Sequence, residues 1–326
     1  MSIDKKKCEV GCDSFNFVMI IDGADPEEYM KTVPLITTQG SEFGSVGIKG
    51  GKVYIHFCLP KVVWKDNRTP FGVTGMAKLS HIVNEIELAL EQALEGRIAD
   101  GIDVLSASAR KIECNLTQWV AEGCTCAHVI NLLNRSYHEG TNVVYQKASS
   151  KCKFLKEDET AIIKKPNYYL LKCYDKSLEQ RKTLNPDIED GLLRIEVVML
   201  DRLLKKLFPE EQTIRSILTE QGLIKVIEEY KRIFVEDIIN SYVRPCLKSV
   251  TKILFESLKE TDSPVETISL YKELIVDEEV LRKALKKWYA FSGRPDSSRQ
   301  RIHSLKAHDF PKGVVKTIRA FKSACG

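Results

Sequence analysis

The sequence contains no hydrophobic run long enough to span a bilayer, and residues 1–15 lack the apolar core of a signal peptide. These absences set aside a membrane-spanning or exported protein, and the expected location is a cytoplasm. Ten cysteines are spread from Cys8 to Cys325 without a paired rhythm, which sets aside a disulfide scaffold and makes reduced thiols the expectation. Cys124-x-Cys126-x-His128 has no properly spaced second pair, and only Cys8 and Cys12 could complete it as a zinc site. It reads better as small thiols at the start and face of a helix. No His-x-His pair is present, which disfavours a two-histidine metal site, and no repeat or low-complexity segment interrupts the chain.

With 326 residues the chain can build one sizeable core and a second, smaller domain. Its net charge of +4 conceals an asymmetry. Residues 281–326 hold twelve Lys and Arg against two acids, which leaves a net −6 on the first 280 residues. A basic end on an acidic body suits local contact with a polyanion, although solvated helix faces account for such a charge run equally well.

Strand signals fill the first two thirds of the chain. Residues 15–21 read as a strand, and residues 44–49 and 52–59 flank Gly50-Gly51, which predicts a tight hairpin with positive φ at both glycines. On its second strand Tyr54, His56 and Cys58 share a face, His56 reading as an ordinary strand histidine. Residues 104–120 alternate, with Ile112, Cys114 and Leu116 opposite Lys111, Glu113 and Asn115. Three more short segments, 142–145, 168–176 and 192–200, are rich in β-branched and aromatic residues. Alternation puts Lys172, Tyr174 and Lys176 on one face and Arg194 beside Glu196 on another, with Leu171, Cys173, Leu193, Ile195, Val197 and Met199 facing a core. Residues 149–167 read as a strand pair or protruding loop. Helical spacing at Leu79, Ile82, Ile86, Leu90 and Leu94 predicts a helix covering the apolar side of the sheet, and residues 127–137 predict a second.

Beyond Phe208-Pro209 the periodicity turns helical: 213–221, 223–242, 250–259, 265–274 and 278–291, then two short basic segments, 297–307 and 313–324. A long helix, a break and two short basic helices suit a DNA-reading unit of the helix-turn-helix type, with Arg299, Arg301 and Lys306 as contacts. The expected class is therefore α+β: an antiparallel sheet with helices on one face over residues 1–208, followed by an all-helical domain over 209–326.

Four motifs occur in order: Lys111-Ile112-Glu113, Val144-Tyr145, Lys172-x-Tyr174-Asp175-Lys176-x-x-Glu179 and Leu193-Arg194-Ile195-Glu196. The set resembles the replication initiators of filamentous phages and related plasmids, the gene II/X family, and more distantly the staphylococcal rolling-circle plasmid initiators. Cys58-Leu59-Pro60-Lys61-Val62-Val63, with Asn67 and Phe71-Gly72, resembles a further segment of the phage family, with Cys58 in place of the usual serine and Lys65-Asp66 where a glycine is expected. There Lys61, Lys65 and Arg68 are candidates for DNA phosphate contact, as are Lys111, Lys172 and Arg194 on the strands.

The resemblance implies that one strand is cut at a replication origin, leaving a 5′ phosphotyrosine on the protein and a 3′ hydroxyl that primes synthesis, and is later rejoined. A tyrosine hydroxyl titrates near pH 10 and needs help as a nucleophile; a divalent metal supplies it by making the phosphate more electrophilic. Glu113 and Glu196 are the expected ligands, and all-oxygen ligation favours Mg2+ or Mn2+. Lys176 is expected to neutralise charge on the phosphate. Tyr145 and Tyr174 compete as nucleophile, with Tyr145 favoured because it matches the tyrosine of the plasmid initiators. Implied partners are single-stranded or supercoiled origin DNA, the helicase and DNA polymerase of a bacterial host, and a second copy of the chain in one arrangement. Two other classes compete: a non-catalytic sequence-specific DNA binder whose sheet is only a scaffold, and a water-using metal nuclease that forms no covalent adduct.

Overall fold

Gly50 and Gly51 both adopt positive φ (58° and 66°), which a side chain at either position would oppose, and they close the hairpin between β3 (Glu42–Lys49) and β4 (Lys52–Cys58) as the sequence predicts. In this computed structural model, residues 8–21, 29–64, 69–95, 103–138, 160–183, 188–305 and 310–326 are described. The fold is α+β. The remaining strands are β1 (Gly11–Ile20), β2 (Tyr29–Ile36), β5 (Ser108–Trp119), β6 (Thr160–Lys165), β7 (Tyr169–Asp175) and β8 (Leu192–Leu200). They form one eight-stranded antiparallel sheet in the order β2-β3-β4-β1-β5-β8-β7-β6. β2, absent from the sequence expectations, carries Pro34; its place on the sheet edge spares that residue the ladder bond it cannot donate.

Contacts group the chain into two compact units. The first comprises Met1–Thr117, Lys164–Lys172 and Ile195–Lys231; the second Gln118–Ile163, Cys173–Arg194 and Arg232–Gly326. In the first, Phe15, Phe17 and Phe57 from neighbouring strands stack with ring centroids 5.4–6.1 Å apart. Each such buried ring contributes about 2–3 kcal/mol by apolar burial. Helix α1 (Leu59–Trp64) follows β4, and α2 (Leu79–Leu94) spans the predicted residues and buries Ile82, Ile86 and Leu90. Phe208-Pro209, where the sequence suggests a domain boundary, lies just after α5 (Asp201–Leu207) and inside this first unit. The segment beyond it is tied to the start of β5 and to β8: Ala109 donates its N–H to the Gln212 carbonyl, Ile214 donates to Ala107 just before β5, and the Tyr230 hydroxyl donates to the Ile195 carbonyl at 2.9 Å.

Two local expectations are corrected. Residues 104–106 form a 3-10 turn before β5, because Asp103 caps it by accepting from the Leu105 N–H. The helix expected over 213–221 ends early, as α6 (Ile214–Ile217), whose Thr213 and Ser216 form a reciprocal cap, and the one expected from 223 begins sooner, as α7 (Glu220–Arg232), where Thr219 accepts from the Gly222 N–H.

The second unit contains α3 (Cys126–His138), α4 (Lys176–Thr183), a π-helical stretch (Ile233–Val243), α8 (Arg244–Thr261), α9 (Pro264–Tyr271), α10 (Glu278–Phe291), α11 (Ser298–Ser304) and α12 (Val314–Ala324). The wide turns end just before Pro245, which has no N–H to continue the ladder, and the Arg244 N–H reaches back five residues to the Ile239 carbonyl. Tyr137 meets Tyr242 edge-on at 5.0 Å, and Phe234 lies 6.3 Å from Phe321.

At Gly44 an added methyl would overlap the His56 carbonyl and lie 2.8 Å from the Phe57 Cα, both backbone atoms of the paired strand. Gly44→Ala is therefore expected to cost about 1–3 kcal/mol by forcing β3 and β4 apart, read as a lowered denaturation midpoint.

Candidate functional site

Between Cys12 and Phe15, both buried on the apolar face, lie two polar residues instead of one. The register with β5 records the consequence: Cys12 pairs with Cys114 and Phe15 with Ile112, so Asp13 and Ser14 together oppose the single residue Glu113. This β-bulge brings two consecutive side chains to the polar side of the sheet beside Glu113. Ser14 donates its hydroxyl to Glu113 Oε2 at 2.7 Å. Asp13 accepts from Asn115 Nδ2 at 3.2 Å and from the Cys58 thiol at 3.3 Å. Burial, reinforced by the Asp13 charge, raises the Cys58 pKa well above the ordinary thiol range, so Cys58 is a protonated donor here. That is the role a serine would fill.

From the other side of β5, Lys172 on β7 reaches Glu196 on β8, Nζ to Oε1 2.6 Å, and stands 3.8 Å from Glu113 Oε1. Lys111 also pairs with Glu113. Burial alone would raise the Glu113 pKa, but Lys172, Lys111 and the Ser14 hydroxyl hold it below the ordinary carboxylate value. Glu196 goes the other way: burial and the Glu113 charge raise it against the pull of Lys172. Two neighbouring carboxylates thus have pKa values pushed apart, a pattern typical of acid–base sites and also found in structural ion-pair networks. The cluster opens at one end. Side-chain exposure rises from 6% at Glu196 through 14% at Glu113 to 22% at Lys172 and 33% at Lys111.

Lys111, Glu113, Lys172 and Glu196, expected from separate motifs, are brought together. Asp13, Ser14 and Asn115 join them, and Asp13 and Ser14 were missed. Their signal was legible in principle: two polar residues between apolar positions three apart break strand alternation where a bulge restores it. Other expected residues are elsewhere. Lys176 does not continue the strand; Asp175 accepts from the Leu178 N–H and starts α4, so Lys176 is buried in its first turn and pairs with Glu179. Arg194 is 1% exposed, so it is not presented to a ligand at the surface, and β8 is buried over nearly its whole length. Tyr174, on β7, is buried. Lys61 is half-buried in α1. Arg299 is exposed on α11 and, with Arg282, Lys283 and Lys286, lines a basic hollow of about 750 Å3, while Arg301 is half-buried. Tyr145, Lys65, Arg68 and Lys306 lie outside the described residues.

Among the described residues no three His, Cys, Asp or Glu side chains are gathered to hold a metal ion, and the Lys172 ammonium stands against both carboxylates expected to do so. The donor chemistry nevertheless fits magnesium, which takes one or two carboxylates and completes its shell with water and substrate phosphate. Binding it between Glu113 and Glu196 requires Lys172 to withdraw.

No helix among the described residues is long and apolar enough to cross a membrane. No protein-family model matches the chain, and no curated protein matches it. Among solved structures, a rolling circle replication initiator protein from Geobacillus stearothermophilus is similar over 72% of this chain and 85% of its own, with 10% identity and a TM-score of 0.31. At that distance the likeness carries no functional argument, and the function is read from the residues on the sheet.

Proposed function

We propose that this chain is a rolling-circle replication initiator of the phage and plasmid type, cutting and rejoining one strand of origin DNA through a tyrosine. One observation carries the reading: Lys111, Glu113, Lys172 and Glu196, from three sequence motifs separated by up to 85 positions, meet on three neighbouring strands. In the reaction the tyrosine oxygen bonds to phosphorus as the P–O3′ bond breaks. The hydroxyl proton passes to a base, and the departing 3′ oxygen is protonated. A divalent Mg2+ or Mn2+ held by Glu113 and Glu196 would polarise the phosphate. Lys111 and Lys172, at the open end, would hold phosphate oxygens; Ser14 would orient the Glu113 carboxylate. The Asp13–Asn115–Cys58 hydrogen bonds would fix the bulge that presents Ser14.

The experiment is incubation of labelled single-stranded and supercoiled origin DNA with the protein and Mg2+ or Mn2+, followed by a denaturing gel. A covalent protein–DNA band with a free 3′ hydroxyl on the released strand supports the reading. Nicking without an adduct would replace it with a water-using nuclease. Glu113→Gln, which keeps shape but removes the charge, is expected to lower adduct formation about 10²-fold or more while DNA binding persists.

A second reading has its own observation. Lys172 against both Glu113 and Glu196 is also how a structural ion-pair network looks, and it suits a DNA-binding protein whose sheet is a scaffold. Tight origin binding with no cleavage under every metal condition would favour it.

A further inference from the structure

In the second unit, α8, α10 and α12 each turn one stripe toward a common groove of about 700 Å3. From α8 come Arg244, Leu247, Lys248 and Thr251, spaced i, i+3, i+4 and i+7; from α12 come Val315, Ile318, Arg319 and Lys322 with the same spacing. Helix α10 supplies Val280, Lys283, Lys287 and Ala290. The groove has an aliphatic floor, where Val280, Val315 and Ile318 are buried and Leu247 is half-buried, and a rim of seven cations without an acid. Glu279 pairs with Lys283 and Arg319. Among the described residues, Arg244, Lys248, Lys287 and Lys322 have no ion-pair partner. Like charges at helical spacing repel, as Lys283 and Lys287 do on α10, so the fold alone gives no reason to gather them.

We propose that this groove is a docking site for an acidic amphipathic helix of a partner protein. The rim requires an anionic ligand, and the floor requires an apolar one. Single-stranded nucleic acid binds such grooves through stacked bases, and no aromatic residue lines this one. Duplex DNA presents phosphates, which gain nothing from an aliphatic floor. A helix with leucines at i, i+3, i+4 and i+7 flanked by glutamates satisfies both, laying its apolar stripe between three helices and its carboxylates against the rim. This site is separate from the sheet cluster and stands whether or not the chain cuts DNA.

The test titrates a fluorescent 20-residue peptide of that pattern with the full chain, alongside the same peptide with lysines in place of glutamates, a single-stranded oligonucleotide and a duplex. Saturable binding of the acidic peptide and none of the basic one is expected. Lys248→Glu combined with Lys287→Glu should weaken it about tenfold or more, and Leu247→Asn severalfold, with thermal denaturation showing both variants folded. Binding indifferent to these substitutions would overturn the proposal. So would absent peptide binding, or an oligonucleotide that binds the groove more tightly than the peptide and loses affinity in the charge-reversed variant; that last result would make the groove a nucleic-acid surface.

Discussion

Lys172→Met is expected to cost about 3 kcal/mol or more at neutral pH, enough to lower the denaturation midpoint sharply. The ammonium is 2.6 Å from Glu196 and 3.8 Å from Glu113, and both carboxylates are largely withdrawn from water. Methionine keeps the side chain's length and packing but leaves two facing carboxylates, with Lys111 still paired to Glu113. Removing one partner of such a group costs about 3–5 kcal/mol because the remaining charge is stranded, and the 22% exposure of Lys172 favours the lower end. The pH dependence separates this cause from a packing defect. In the wild type the lowered Glu113 pKa gives stability that is present above its unfolded pKa and lost as pH falls through the folded one. The raised Glu196 pKa acts oppositely: its contribution is present below the unfolded pKa and lost as pH rises through the folded one. In Lys172→Met both carboxylates titrate higher, so the deficit should be largest near neutrality and shrink toward pH 4. A deficit constant with pH would assign the loss to packing.

The second large effect concerns the nucleophile in the proposed reaction. Tyr145→Phe is expected to lower covalent adduct formation by about 10³-fold or more with DNA binding retained, because phenylalanine keeps the ring and deletes only the attacking oxygen. Tyr174→Phe is expected to leave the adduct and shift stability by about 1 kcal/mol. Its ring is buried on β7, and a nucleophile must present its oxygen to an incoming phosphorus. Denaturing gels of both variants against wild type read the two outcomes together. Loss in Tyr174→Phe alone would transfer the role to that residue; loss in neither would remove tyrosine from the chemistry.

Much of the sheet was readable from alternation, because side chains on a half-buried strand must obey a period of two. The Gly50-Gly51 hairpin, the inward Ile112, Cys114 and Leu116 of β5, and α2 and α10 over their predicted residues all follow from local pattern. Glu113 and Glu196 could be paired in advance only through motif order, since nothing local says that β5 and β8 are neighbours. The burial of Arg194 was unreadable for a related reason: what covers a strand's second face is not written in the strand. At Lys176 the local signal was present but overlooked. Asp175 begins a capped turn three residues before Leu178, and that capping signal outranks the apparent continuation of alternation.

The extra residue in β1 has a counterpart. Between Asn16 and Phe17 the pairing moves from Lys111 to Ala109, so Arg110 is one residue too many on β5. The two irregularities cancel, and the strands leave the site in the phase in which they entered it. What the sheet conserves there is a parity: two residues between Cys12 and Phe15 balanced by two between Ala109 and Ile112. Substitutions within either pair can retune the site's chemistry while the phenylalanines stay inward. Deleting one residue from either pair would remove that bulge and leave plain alternation there, with the phenylalanines still inward and one side chain fewer on the polar face.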